Sequence, residues 1–84
     1  MSKVRETVEY VTKALVDNPD EVHVAETRSK ASILIDVDVA REDIGRVIGR
    51  KGRHISAMRS LARALGARNG KRVMVELNEP DRGR

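Results

Sequence analysis

The chain has no cysteine, phenylalanine or tryptophan, and only one tyrosine and two prolines among its 84 residues. Without thiols it forms neither disulfides nor thiolate metal sites, so nothing ties it to an oxidising compartment. No apolar run approaches the ~20 residues of a membrane span, and the segment after Met1 lacks the apolar core of a signal peptide. The expectation is a cytoplasmic protein. With Tyr10 as the single aromatic, a platform of rings for stacking nucleic-acid bases is not available. His23 and His54 have no metal-ligand spacing. Ser2, Ser29, Ser32, Ser56 and Ser60 have no histidine and carboxylate at a telling distance along the chain. The phosphate-cradling patterns GxxxxGK[ST] and GxGxxG are absent. Neither catalysis nor a metal or cofactor is expected.

Positive charge is abundant, and it is concentrated in one half. The formal net charge is +4. Residues 1–40 carry five Lys/Arg against eight Asp/Glu, whereas residues 41–72 carry ten Lys/Arg against only Glu42 and Asp43. The second segment therefore stands at +8 and the first at −3. A solvated helix face normally mixes signs. A one-signed segment points to a polyanionic partner, because its field raises both affinity and encounter rate.

Periodicity places the elements. Val4, Val8, Val11 and Leu15 form one stripe of an amphipathic helix over Lys3 to Val16, stopped by Asn18-Pro19. Glu21 to Thr27 alternates as a short strand with Val22 and Val24 on one face. Arg28-Ser29-Lys30 is a turn into a second strand, Ala31 to Val39, with Ile33, Ile35, Val37 and Val39 facing the core. A short helix from Arg41 to Ile48 carries Glu42 and Asp43 in its first turn, where the helix dipole favours anions. A further helix runs from Arg53 to Leu65 with Ile55, Met58, Leu61, Ala62 and Leu65 inward, and Gly66 as its stop. Asn69-Gly70 turns the chain into a third strand, Arg72 to Leu77, with Val73, Val75 and Leu77 on one side. The polar stretch 79–84 is a tail. The fold class is α+β in the order α-β-β-α-α-β, three helices on one face of a three-stranded mixed sheet, as one domain over residues 1–78.

Between the last two helices lies Val47-Ile48-Gly49-Arg50-Lys51-Gly52-Arg53-His54-Ile55. Two glycines bracket a basic pair, so the chain can turn sharply and another backbone can approach without meeting a Cβ. This stretch resembles the V-I-G-x-x-G-x-x-I signature of the KH domain family, and the element order extends the resemblance over about nine tenths of the chain. The extra helix and strand precede the core, as in the bacterial type II arrangement of small stand-alone single-KH proteins.

The resemblance implies single-stranded RNA as partner, held about four nucleotides at a time across Gly49, Arg50, Lys51 and Gly52. Backbone N–H groups and the start of the following helix would meet a phosphate, with Arg50 and Lys51 adding charge. Bases would then lie along an apolar groove involving Ile44, Val47, Ile48, Ile55 and one of Val73 or Val75. Arg53, Lys71 and Arg72 are secondary phosphate candidates. Helical spacing by itself reports burial, so Ile44, Val47, Met58, Leu61 and Leu65 read as core before base platform, while Ile48 and Ile55 suit either role. His54 reads as a solvated helix residue beside the loop. A homodimer, or a heterodimer with a second KH-containing protein, is a further implication of the resemblance. The rival reading is an interaction or dimerisation adaptor in which RNA binding is secondary.

Overall fold

The computed structural model of the protein describes residues 2–79. Helix α1 spans Lys3–Leu15, strands β1 and β2 span His23–Arg28 and Ser32–Asp38, helices α2 and α3 span Ile44–Ile48 and Arg53–Ala67, and strand β3 spans Arg72–Leu77. Short 3-10 turns at Pro19–Glu21, Arg41–Asp43 and Arg50–Gly52 join them. The order α-β-β-α-α-β and the mixed sheet match the expectation from periodicity. The tail expected over 79–84 lies, apart from Glu79, outside the described residues.

Helix α1 begins at Ser2, whose hydroxyl accepts the Arg5 N–H at 3.0 Å and so satisfies one of the donors left over at a helix start. Its exposed flank is reinforced by Arg5–Glu9 and Glu9–Lys13 pairs one turn apart. The inner stripe is Val4, Val8 and Thr12. Thr12 is a polar residue in the core. Its hydroxyl donates to the Val8 carbonyl at 2.7 Å and lies 3.4 Å from the Met58 sulfur.

The sheet has strand order β1-β2-β3. β1 runs antiparallel to β2, pairing Val24 with Val37, and β2 runs parallel to β3, pairing Ile33 with Val73 and Ile35 with Val75. Alternation along each strand sends Ile33, Ile35, Val37, Val73 and Val75 into the core. Each such side chain contributes about 1.5–3 kcal/mol when fully removed from water. Met58, Ala62 and Ile55 of α3 and Val47 of α2 complete that core. Leu34, Asp36, Met74 and Glu76 stand on the opposite, wetter face.

Three local expectations give way to packing. The segment Arg41–Asp43 is a 3-10 turn rather than α-helix, and Asp43 within it is fully buried. Leu61 keeps the helical spacing of its neighbours yet is 43% exposed, because it lies on an open cleft beside Val11 and Leu15 of α1. Gly66 does not stop α3, which continues to Ala67. A Cβ on Gly66 would fall 2.1 Å from Val73 Cγ2, so the glycine lets α3 lie directly on β3. The left-handed position after the helix belongs to Gly70, at φ +69°.

Candidate nucleic-acid interface

Helix α2 has only five residues, too few to be stable on hydrogen bonds of its own. It is fixed at both ends by contacts from elsewhere. At its start the Asp43 carboxylate accepts the Asp17 and Asn18 N–H groups at 3.1 and 3.0 Å and the Asn18 Nδ2 at 3.0 Å. Burial alone would push the Asp43 carboxyl up; the Asn18 amide, the two backbone N–H groups and Arg46 outweigh it and hold the carboxyl below its ordinary value. Arg46 lies 3.7 Å from Asp43 and 2.9 Å from Asp17. At the other end of α2, His54 Nδ1 lies 2.7 Å from the Arg46 carbonyl oxygen. A carbonyl only accepts, so Nδ1 carries the proton and Nε2 is the outward-facing nitrogen.

The glycine loop follows. Gly49 has φ +76° and ψ 172°, a region open essentially to glycine alone. Its missing side chain also leaves room for His54, since a Cβ there would meet the imidazole Cγ at 2.6 Å. Gly52 is left-handed at φ +74° with open space around it. Between them Lys51 adopts φ +57° and ψ 25°, the one non-glycine residue with positive φ among those described. Arg50, Lys51 and Arg53 are exposed, and α3 begins immediately behind them, so its first-turn N–H groups face the loop.

The expected site residues are distributed as follows. Gly49, Arg50, Lys51, Gly52 and Arg53 form one continuous rim. Ile48 and Ile44 are half-buried on α2, and Ile55 is buried one turn into α3. Arg72 stands at the other end of α3, whose 15 residues span about 22 Å, and is not brought to the loop. Val47, Val73 and Val75 are core residues and leave the list of groove candidates. Lys71 leaves the phosphate candidates, because its ammonium donates to the Ser29 and Lys30 carbonyls at 3.1 and 2.9 Å and anchors the β1–β2 turn. His54 is exposed as expected but tied to α2 rather than merely solvated.

Sequence reasoning missed Arg59. The Arg72 N–H reaches the Ala31 carbonyl and the Asn78 N–H the Val37 carbonyl, so even-numbered peptides of β3 face β2. Alternation turns the peptide groups of Val73, Val75 and Leu77 outward along an edge that no strand covers among the described residues. Arg59 Nε donates to the Val75 carbonyl on that edge at 3.1 Å. Helical spacing sets Gly52, Ser56, Arg59 and Arg63 in one row along it. Only the basic row, at i, i+4 on α3, was available as a signal.

This combination can be compared with known proteins. The chain matches the KhpA/KhpB KH domain family over residues 5–77. It belongs to that family. A protein named RNA-binding protein KhpA from Caldanaerobacter subterraneus subsp. tengcongensis is 49% identical over 72 residues, covering 86% of this chain and 96% of the relative. The protein of the same name from Aquifex aeolicus is 39% identical over 79 residues, covering 94% and 100%. Among solved structures, Era from Aquifex aeolicus bound to GDP and aluminium fluoride superposes with a TM-score of 0.62 at 24% identity, over 88% of this chain and 29% of Era. Era in complex with MgGDPNP and a segment of 16S ribosomal RNA gives 0.63 at the same identity, over 88% and 28%. Both share the fold. The helix and strand that precede the core make this the type II KH arrangement, a non-catalytic fold. Among the described residues no group of three His, Cys, Asp or Glu is placed to hold a metal ion, and no helix is long and apolar enough to cross a membrane.

Proposed function

We propose that this KH protein is a non-enzymatic, cytoplasmic RNA-binding protein that clamps short single-stranded RNA across Gly49-Arg50-Lys51-Gly52. The observation that carries the reading is the distribution of unneutralised charge. Arg5, Lys13, Arg28 and Arg46 are each paired with a carboxylate, whereas Arg50, Lys51 and Arg53, like Arg59, Arg63, Arg68 and Arg72 further along the same basic half, have no ion pair among the described residues. Three free cations on a loop whose glycines admit a close backbone suit a phosphodiester. Bases would extend past half-buried Ile48 toward the β3 edge, where Arg59 already holds the Val75 carbonyl and the remaining outward peptide N–H and C=O groups complement base edges. Lack of aromatic stacking makes the expected binding weak and sequence-tolerant.

The names of the relatives support RNA as ligand. The family resemblance supports a chaperone-like or post-transcriptional regulatory role, exercised with a KhpB/Jag-type KH partner in cell-shape and cell-wall homeostasis. Pairing two small sites gains affinity through effective concentration.

The test is fluorescence-anisotropy titration with a short unstructured RNA, with circular dichroism as the folding control. Arg50→Asp/Lys51→Asp should stay folded and lose binding. About three neutralised phosphates, at a slope of roughly 0.7 each, predict a roughly twentyfold loss of affinity from 50 to 200 mM salt. Full affinity in the folded double variant would sink the clamp.

An adaptor role is the second reading, and one observation favours it. Between α1 and α3 runs an open apolar cleft of about 160 Å³ lined by Val11, Leu15, His54, Ala57, Met58 and Leu61. Homodimer or heterodimer formation through it would be indifferent to the loop substitutions.

A further inference from the structure

His54 touches the glycine loop and α2 together. Its ring fills the space over Gly49, where a Cβ would lie 2.6 Å from Cγ and 2.8 Å from Nδ1. Its Nδ1–H donates at 2.7 Å to the Arg46 carbonyl, in the last turn of α2, where a helix supplies no N–H of its own. We propose that His54 is the positioning residue of the loop, closing it against α2 and setting its shape before RNA arrives. The proposal rests on the RNA-clamp reading and adds to it a residue that the signature itself leaves unspecified.

Three features converge on this role. First, α2 is too short to hold its own orientation, and its far end is already fixed through Asp43 to Asp17 and Asn18. A second fixed point at its C-terminal end is what makes the loop's first glycine stationary, and His54 supplies that point. Second, Lys51 sits in the left-handed region without being glycine. Such residues persist only where the surroundings over-determine the backbone. Lys51 is spanned by turn bonds from the Gly52 N–H to the Gly49 carbonyl at 3.1 Å and from the Arg53 N–H to the Arg50 carbonyl, so its backbone depends on where Gly49 is held. Third, the imidazole has already committed Nδ1 to Arg46. That bond fixes the ring against α2 and leaves only Nε2 for any other partner. A loop held in its bound shape avoids the ordering cost that a floppy one meets on binding.

The experiment uses the full chain, a fluorescein-labelled short single-stranded RNA, and amide hydrogen exchange of the free protein. His54→Ala should stay folded, speed exchange at Gly49, Lys51 and Gly52, and weaken RNA binding roughly fivefold, the scale of one net hydrogen bond. His54→Asn places an amide donor where Nδ1 stands and should restore both readings. His54→Gln carries its donor out to the Nε2 position and should restore neither. Unchanged loop exchange in folded His54→Ala overturns the proposal whatever the RNA result. Rescue by Gln but not Asn also overturns it, by making His54 a direct RNA ligand. Full RNA affinity in His54→Ala, alongside loss in Arg50→Asp/Lys51→Asp, overturns the positioning role and leaves the clamp standing. A wild-type protein that binds no RNA overturns the clamp, and the exchange measurement then decides the loop's anchoring by itself.

Discussion

Asn18 and Asp43 are joined by two hydrogen bonds of 3.0 Å, one from the Asn18 backbone N–H and one from its side-chain amide, both onto Asp43 Oδ2. Asp43 Oδ1 takes the neighbouring Asp17 N–H. The end of α1 is thereby locked to the start of α2 across some 25 positions of chain. Asp43→Ala leaves three donors without their acceptor and removes one of α2's two anchors. Thermal unfolding should show a drop in Tm of roughly 10 °C.

The same carboxylate gives stability a pH dependence. Its native pKa is depressed below the ordinary 3.8, so its contribution is fully present above about pH 4 and is lost as pH falls through the native value. Urea midpoints measured from pH 7 downward should fall more steeply for the wild type than for Asp43→Asn, which starts lower and has no charge to lose. Parallel curves would contradict the assignment.

The two loop glycines are unequal. Gly52→Ala meets open space and bears only the left-handed backbone cost of about 1–2 kcal/mol. Gly49→Ala enters a glycine-only backbone region and displaces His54, for about 2–4 kcal/mol. Urea denaturation of the two variants should rank them in that order.

Lys51→Gly separates charge from conformation. The left-handed strain disappears while the unfolded chain gains freedom, so stability should change by less than about 1 kcal/mol. RNA affinity should fall, and the logarithmic salt slope should decrease by about 0.7 if Lys51 neutralises one phosphate.

Gly66→Ala tests the approach of α3 to β3. With a Cβ 2.1 Å from Val73 Cγ2, the variant should lose about 1–3 kcal/mol in urea unfolding. Combining it with Val73→Ala should cost less than the two separate losses added together. Strict additivity would show that the clash is relieved elsewhere.

Alternation made the strands legible, and the stripe Val4, Val8 made α1 legible, because both record which face meets the core. The loop was legible from two glycines around two cations. Asp43, Thr12 and Arg59 were not. Each is a polar residue whose role depends on a partner brought in by the fold: Asn18 from α1's end, Met58 from α3, and the Val75 carbonyl from β3. Gly66 was misread for a related reason. A glycine that ends a helix and one that admits a neighbouring strand look alike until the strand is in place. Leu61 follows the same spacing as Met58 and Leu65, and periodicity cannot tell how far around a helix its neighbours reach.

Every pair in the parallel ladder joins residues forty positions apart, as in Ser32 with Arg72 and Val37 with Leu77, whereas β1 and β2 meet through a three-residue turn. The hairpin can therefore assemble early, but β3 must wait for the whole α2–loop–α3 crossover to close. On a ribosome, the hairpin and glycine loop emerge before the strand whose outer edge would complete the nucleic-acid surface. The order of synthesis thus leaves the proposed RNA surface without its outer edge until β3 has docked.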